Sequence, residues 1–185
     1  MQKIALGIST QNTIHSKTAF SIIETIRLNK DIEFLPIFRH GGYIAENKAE
    51  EVRIAQENLC SHIFFIDHDM VFDYKALPTL LAHDKDIIGV HYNYRFLPLK
   101  KMTVEEEEHS SVAPYIVKAV GGGFLLVKMK VFDALKPPYF PMEQDEAGKR
   151  VVTEDFGFYE EARKVGFKVW CDPSIKVMHE GNFLY

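Results

Sequence analysis

Cysteine is scarce in this chain. Cys60 and Cys171 are the only two among 185 residues, and they form no paired motif. That excludes a disulfide framework and a zinc finger or ribbon, and leaves reduced thiols as the expectation. No apolar run approaches the roughly 20 residues that cross a bilayer, so no membrane span is expected. The first ten residues turn polar too soon for a secretory signal, which points to a cytoplasmic protein. A cationic excess is missing too. Lys and Arg number 22 against 26 Asp and Glu, a formal net charge of -4. No global basic field argues for a nucleic-acid partner. Residues 9–17 contain no glycine, so the first turn carries no glycine-rich cradle for a triphosphate. Internal repeats, low-complexity segments and linkers are all absent. What remains is an ordinary globular composition, 46% hydrophobic and 26% charged, in a chain long enough for one domain with a proper core.

The stretch with most chemical content is Phe64-Phe65-Ile66-Asp67-His68-Asp69-Met70-Val71. A short run rich in aromatic and β-branched residues reads as a buried strand of a parallel sheet. It stops at two carboxylates one residue apart. The carboxyl end of a strand is where an open α/β sheet places its ligands. Two aspartates there repel unless a cation stands between them, and hard divalent cations take carboxylate oxygens at about 2.0–2.6 Å. The plainer alternative is a solvated Asp-x-Asp turn. His68, between the two acids, is expected on the opposite face of the extended chain, with no metal role.

Strands are predicted over 4–8, 32–38 and 63–66, with helices over 16–28 and 46–60 between them; Val52, Ala55 and Leu59 form the inner face of the second helix. The order β-α-β-α-β is that of a doubly wound sheet. A short helix over 75–82 and a strand over 86–92 follow. Residues 97–111, with the acidic run Glu105 to Glu108, read as a solvated loop. Residues 112–120 form a strand or hairpin before Gly121-Gly122-Gly123, a strand over 124–127 and a helical turn over 130–135. Residues 139–152 read as irregular. Thr153 is the expected N-cap of a helix opened by Glu154 and Asp155, whose charges suit its dipole. Its inner side is Phe156, Tyr159, Ala162 and Val165, and Gly166 closes it. Two last strands, over 168–171 and 175–178, end at His179.

The ordered set of these pieces resembles the glycosyltransferases of the GT-A fold, especially the large family-2-like group. The resemblance rests on Arg53 on the helix before Phe64-Phe65-Ile66-Asp67-His68-Asp69, on the glycine-led strand Gly122-Gly123-Phe124-Leu125-Leu126-Val127, on the helix from Glu154-Asp155-Phe156-Gly157 to Val165-Gly166, and on Asp172-Pro173-Ser174 with Val177-Met178-His179. It implies one α/β domain over 1–185, a Rossmann-like mixed central sheet flanked by helices, with 1–95 as the nucleotide-binding half and 96–185 as the acceptor and catalytic half. It further implies a hexosyltransferase-like enzyme that moves a sugar from a nucleoside-diphosphate-sugar donor to an acceptor hydroxyl, inverting the anomeric centre. Asp69 and His179 would hold Mn²⁺ or Mg²⁺ against the diphosphate, the imidazole leaning to Mn²⁺. Asp67 would belong to that metal set through the ribose or a metal-bound water. Asp155 would be the general base, with Glu154 orienting it or holding an acceptor hydroxyl. Thr10, His40, Arg53, Asp67, Gly122 and Gly123 would face the nucleotide-sugar.

The chain departs from the family where its first strand ends in Ile8-Ser9-Thr10 and its second in Arg39-His40 rather than an acid. Base identity is therefore left open. Three rival readings exist. A haloacid-dehalogenase-like phosphatase would use Asp67 as nucleophile, but that family carries the motif on its first strand. A sugar nucleotidyltransferase would want the glycine-rich loop that residues 9–17 lack. A non-catalytic nucleotide-sugar-binding domain would not need Asp155.

Overall fold

The computed structural model describes residues 1–95, 97–104, 112–144, 146–147 and 150–181. The acidic run Glu105 to Glu108 lies outside the described residues. The first half of the chain is β1 (Gln2–Thr10), α1 (Ser16–Leu28), β2 (Ile32–His40), α2 (Ile44–Glu57) and β3 (His62–Ile66), the expected alternation. Strand β1 lies between β2 and β3 and runs parallel to both, with Ile4 opposite Phe34 and His62.

Next come β4 (Met70–Phe72), α3 (Ala76–Ala82), β5 (Ile87–Val90), β6 (Tyr115–Val117), β7 (Phe124–Lys128) and α4 (Met129–Ala134). The chain continues with β8 (Glu143–Gln144), β9 (Arg150–Val152), α5 (Glu154–Lys164), β10 (Val169–Asp172) and β11 (Val177–His179). Seven strands form one sheet in the order β2-β1-β3-β7-β5-β10-β6. Strand β7 inserts antiparallel between β3 and β5, and β6 is antiparallel to β10. The sheet is therefore mixed, and β3 has only one parallel neighbour.

Strand alternation divides the core into two layers. Ile63, Phe65, Leu125 and Val127 face the α2, α4 and α5 side, with Val52, Phe132, Phe158 and Tyr159. Ile4, Leu6, Ile8, Phe64, Phe124 and Leu126 face the α1 and α3 side, with Ile22, Leu77 and Leu80. The Phe124 ring meets Phe64 and Phe72 edge to face, each at 4.8 Å between centroids.

Some expectations fail locally. Helix α2 stops at Glu57, and Leu59 takes a φ of 55° in the turn that follows. Its side chain points to solvent and Cys60 fills the buried place instead. In α5, Val165 lies at the C-cap and is exposed, while Phe158 is buried. Thr153 stands at the N-cap but its hydroxyl makes no capping hydrogen bond. Residues 139–152 are not all irregular, since β8 and β9 pair as an antiparallel ribbon. No helix among the described residues is long and apolar enough to cross a membrane.

Candidate active site

The far end of the chain reaches Asp69 through a second small ribbon. Strand β11 pairs antiparallel with β4, Val177 opposite Phe72 and His179 opposite Met70. The Glu180 N–H donates to the Asp69 carbonyl at 2.7 Å. This register sets His179 beside the residue preceding Met70, and His179 Nε2 lies 3.2 Å from Asp69 Oδ1. The Nδ1 atom of His179 is 3.1 Å from the Asn93 carbonyl. A carbonyl only accepts, so Nδ1 carries a proton. Asp69 Oδ2 accepts from Arg95 Nη1 at 2.6 Å. Burial opposes the charge of Asp69, but His179, Arg95 and His68 outweigh it and hold the carboxyl below its ordinary range.

A second group of acids lies behind the first. The Asp67 N–H donates to the Gly123 carbonyl at 2.8 Å, extending the β3–β7 ladder to the motif. Asp155, in the first turn of α5, accepts from the Gly122 N–H at 3.0 Å through Oδ2. A Cβ on Gly122 would collide with the Asp155 carboxylate, and one on Gly123 with that of Asp67. Both carboxylates therefore rest on bare backbone, which is why these two positions need glycine. The Gly123 N–H donates to the buried Tyr92 hydroxyl at 2.9 Å.

The cation that balances these acids is Lys48, from α2. Its Nζ donates to Asp155 Oδ1 at 2.6 Å, and the side chain is 3% exposed against 18% for Asp155. Burial disfavours the ammonium, yet Asp155, Asp67 and Glu154 outweigh it and raise its pKa above the ordinary lysine value. Burial pushes Asp67 up to about 6, with Lys48 opposing and Asp155 and Asp69 adding to the rise. One turn along α2, Glu51 is fully buried and accepts from the Ser9 hydroxyl at 2.9 Å through Oε1. Its Oε2 makes no hydrogen bond. Burial raises its pKa to about 8, against the pull of Ser9 and Lys48.

A cavity of about 680 Å³ opens at the carboxyl ends of β1, β2 and β3. Thr10, Asp67, Asp69, Arg95, Asn47 and His179 all line it. Gly41 and Gly42 form its rim with φ of 70° and 67°, a left-handed turn that L side chains resist. Open α/β sheets bind ligands at this edge.

No protein-family model and no curated protein sequence matches the chain. Solved structures do resemble it. A197 from STIV superposes with a TM-score of 0.69 at 16% identity, over 98% of this chain and 86% of that one. A UDP-glucose pyrophosphorylase complexed with UDP-glucose gives 0.56 at 10% identity, over 96% and 93%. A protein described as a glucose-1-phosphate thymidylyltransferase from Bacillus anthracis gives 0.54 at 12% identity, over 97% and 89%. The chain has the GT-A fold. Its motif strand is the third in the chain, after two βα units, which removes the haloacid-dehalogenase-like reading.

Within the GT-A frame the expected residues divide. Thr10, Asp67, Asp69 and His179 share the cavity. Asp155 and Glu154 stand behind it, Glu154 being buried. Gly122 and Gly123 back the carboxylates rather than line the opening. His40 lines a smaller neighbouring cavity of about 350 Å³ with Thr10 and Phe38. Arg53 is not brought to either cavity. It lies on the outer face of α2 in ion pairs with Glu50, at 2.8 Å, and Glu57. His68, expected to face away, lines the main cavity with its Nε2 3.9 Å from Asp69 Oδ2. Lys48, Glu51 and Arg95 were not expected at all. The signal for the first two was a lysine and a glutamate spaced with Val52 and Ala55 on the buried face of one helix.

The donor set for a cation is smaller than expected. Among the described residues no group of three or more His, Cys, Asp or Glu is gathered as a metal site. Asp67 lies against Gly123 instead of joining Asp69 and His179. The remaining pair still fits a hard divalent cation. Asp69 Oδ1 is buried without a hydrogen bond, and its contact with His179 Nε2 lacks hydrogen-bond alignment. Neighbouring ligands of an octahedral ion at about 2.1 Å stand about 3 Å apart, close to the 3.2 Å between these two atoms. Ions of this kind keep waters and take phosphate oxygens, so two protein ligands suffice.

Proposed function

We propose that this protein is a glycosyltransferase that moves a sugar from a nucleoside-diphosphate-sugar donor to an acceptor hydroxyl, with inversion. The observation that carries the reading is the meeting of Asp69 and His179 at 3.2 Å on the cavity, with Asp67 braced on Gly123 in its wall and Asp155 on Gly122 behind it. The GT-A fold and the UDP-glucose in a neighbour's complex support it.

Asp69 and His179 would hold Mn²⁺ or Mg²⁺, which supplies charge neutralisation for the diphosphate leaving group. Thr10 and Asn47, on the cavity wall, would meet the nucleoside end. Asp155 takes the proton of the acceptor hydroxyl. Lys48 and the Gly122 N–H fix its two oxygens, so the carboxylate is oriented before the acceptor arrives. A general base of this kind is typically worth about 10²–10⁴-fold in rate. One base and one in-line attack give inversion. Glu154, in the same turn, adds negative charge to the field of Lys48.

A nucleotidyltransferase reading has specific support, since two of the three neighbours carry such names. The absence of glycine from residues 9–17 favours sugar transfer instead. One experiment separates them. Wild type and Asp155→Asn are incubated with Mn²⁺, a panel of nucleoside-diphosphate sugars and either an acceptor mixture or pyrophosphate. Sugar transfer predicts nucleoside diphosphate release, cut at least about 10²-fold in Asp155→Asn. Nucleoside triphosphate formed from pyrophosphate, equally in both proteins, would overturn it.

A further inference from the structure

Arg95 makes a contact that donor chemistry alone does not require. Asp69 is 1% exposed and has two oxygens. Oδ2 is held by Arg95 Nη1 at 2.6 Å, while Oδ1 faces His179 without a hydrogen bond. The Arg95 side chain is 48% exposed and lines the cavity, so it is free to leave the carboxylate. It comes from the segment after β5 that also carries Asn93, whose carbonyl orients His179. The Tyr94 N–H is fastened to the Lys100 carbonyl at 2.9 Å, which holds the backbone beside Arg95 in place.

We infer that Arg95 is a built-in counter-cation that shares Asp69 with the divalent ion and moves to the diphosphate when ion and nucleotide enter together. The inference rests on the function proposed above. A divalent ion on Asp69 Oδ1 and His179 Nε2 would sit close to the guanidinium, and like charges repel at that range. With two protein ligands only, a bare ion gains too little to displace Arg95. A diphosphate changes both sides of this balance. Its oxygens complete the ion's coordination, and they accept the planar N–H fork of arginine better than a single carboxylate oxygen does. Ion and diphosphate therefore favour each other through Arg95, by linkage in both directions. His68 Nε2 stands 3.9 Å from the same Oδ2, beyond hydrogen-bond reach, so the guanidinium is the cation in contact with that oxygen.

The test uses the full chain and two probes, Mn²⁺ followed by its electron paramagnetic resonance, and inorganic pyrophosphate, which needs no nucleobase. Mn²⁺ affinity is measured with and without pyrophosphate for wild type, Arg95→Gln and Arg95→Lys. In Arg95→Gln, Mn²⁺ alone binds about 5-fold or more tighter than to wild type, and the gain in Mn²⁺ affinity from pyrophosphate shrinks by a similar factor. Arg95→Lys, which keeps the charge, restores weak binding of Mn²⁺ alone. Unchanged Mn²⁺ affinity in Arg95→Gln, with wild type still binding Mn²⁺ and pyrophosphate together, overturns the role of Arg95 and leaves the transferase reading standing. No Mn²⁺ bound by any of the three, with or without pyrophosphate, overturns both. Thermal unfolding of each variant shows whether it is folded.

Discussion

Lys48 decides whether the acids of this site can coexist. Three carboxylates, those of Asp155, Asp67 and Glu154, share its field, and its ammonium touches one of them at 2.6 Å. The rings of Phe65 and Phe140 stand about it, with centroids 5.9 and 6.0 Å from Nζ. Removing one member of a buried pair strands the other, at about 3–5 kcal/mol. Asp155 keeps some solvent contact, so Lys48→Met is expected near the lower end of that range in urea unfolding. Adding Asp155→Asn to Lys48→Met should recover part of the loss, because the stranded charge is then gone. A double variant no more stable than Lys48→Met would mean that packing of the lysine stem, not charge, is what matters there. Little of this pair was legible beforehand. A lysine inside a helix reads as a solvated face, and its partner lies 107 residues away. Asp69 and His179 were easier, because each follows an apolar strand run and strand ends gather at one edge. Arg53 misled for the opposite reason: its nearest acids, Glu50 and Glu57, are on its own helix and satisfy it locally.

At the scale of elements, the β4–β11 ribbon carries more functional weight than its length suggests. Three pairs of residues determine how the end of the chain meets the Asp67-His68-Asp69 turn. Val177, buried opposite Phe72, anchors the ribbon to the core beside β3. Val177→Asp would bury an unpaired charge there and lever β11 away. If the proposed cation site is right, Mn²⁺ affinity should fall about 10-fold or more although neither Asp69 nor His179 is altered, while far-UV circular dichroism keeps its helical signal. Wild-type affinity in a folded Val177→Asp would show that His179 is positioned by something other than the ribbon. The sequence pattern located α1 at Ser16–Leu28, since apolar residues repeat along one face, and located β1, β3, β5 and β7 through their apolar runs. The antiparallel insertion of β7 was not readable from that pattern, because period-2 alternation is the same in either strand direction. The β8–β9 ribbon was also missed; its strands are two and three residues long and carry no alternation to detect.

For the whole molecule, the site's buried acids set how stability depends on pH. Glu51 titrates near pH 8 when folded and near its ordinary value of 4.5 when unfolded, and Asp67 moves from 3.8 to about 6. Between those values the folded chain holds more protons than the unfolded one. Stability from these groups is thus fully present below about pH 4 and is lost as pH rises through 6 and then 8. The slope for one such group approaches about 1.4 kcal/mol per pH unit. Glu51→Gln mimics the protonated form, so it should stabilise the protein at pH 8, leave it unchanged near pH 4, and flatten the decline between. Urea midpoints across that range check this, and a parallel shift at every pH would mean that Glu51 does not titrate in the window.

The larger design is a sheet with two packed faces whose carboxyl edge brings His68, His179, Asp67, Asp69 and Arg95 to one cavity, with Lys48 and Asp155 behind it. Its central feature is the meeting of Asp69 with His179 at 3.2 Å, which the proposed function gives to a cation shared with a diphosphate. The most direct measurement is calorimetric titration of a panel of nucleoside-diphosphate sugars into wild type and Asp69→Ala, each with and without Mn²⁺. At least one donor should bind wild type only when Mn²⁺ is present and should not bind Asp69→Ala in either condition. Binding of that donor to Asp69→Ala with wild-type affinity, or no Mn²⁺-dependent binding of any donor to wild type, would contradict it.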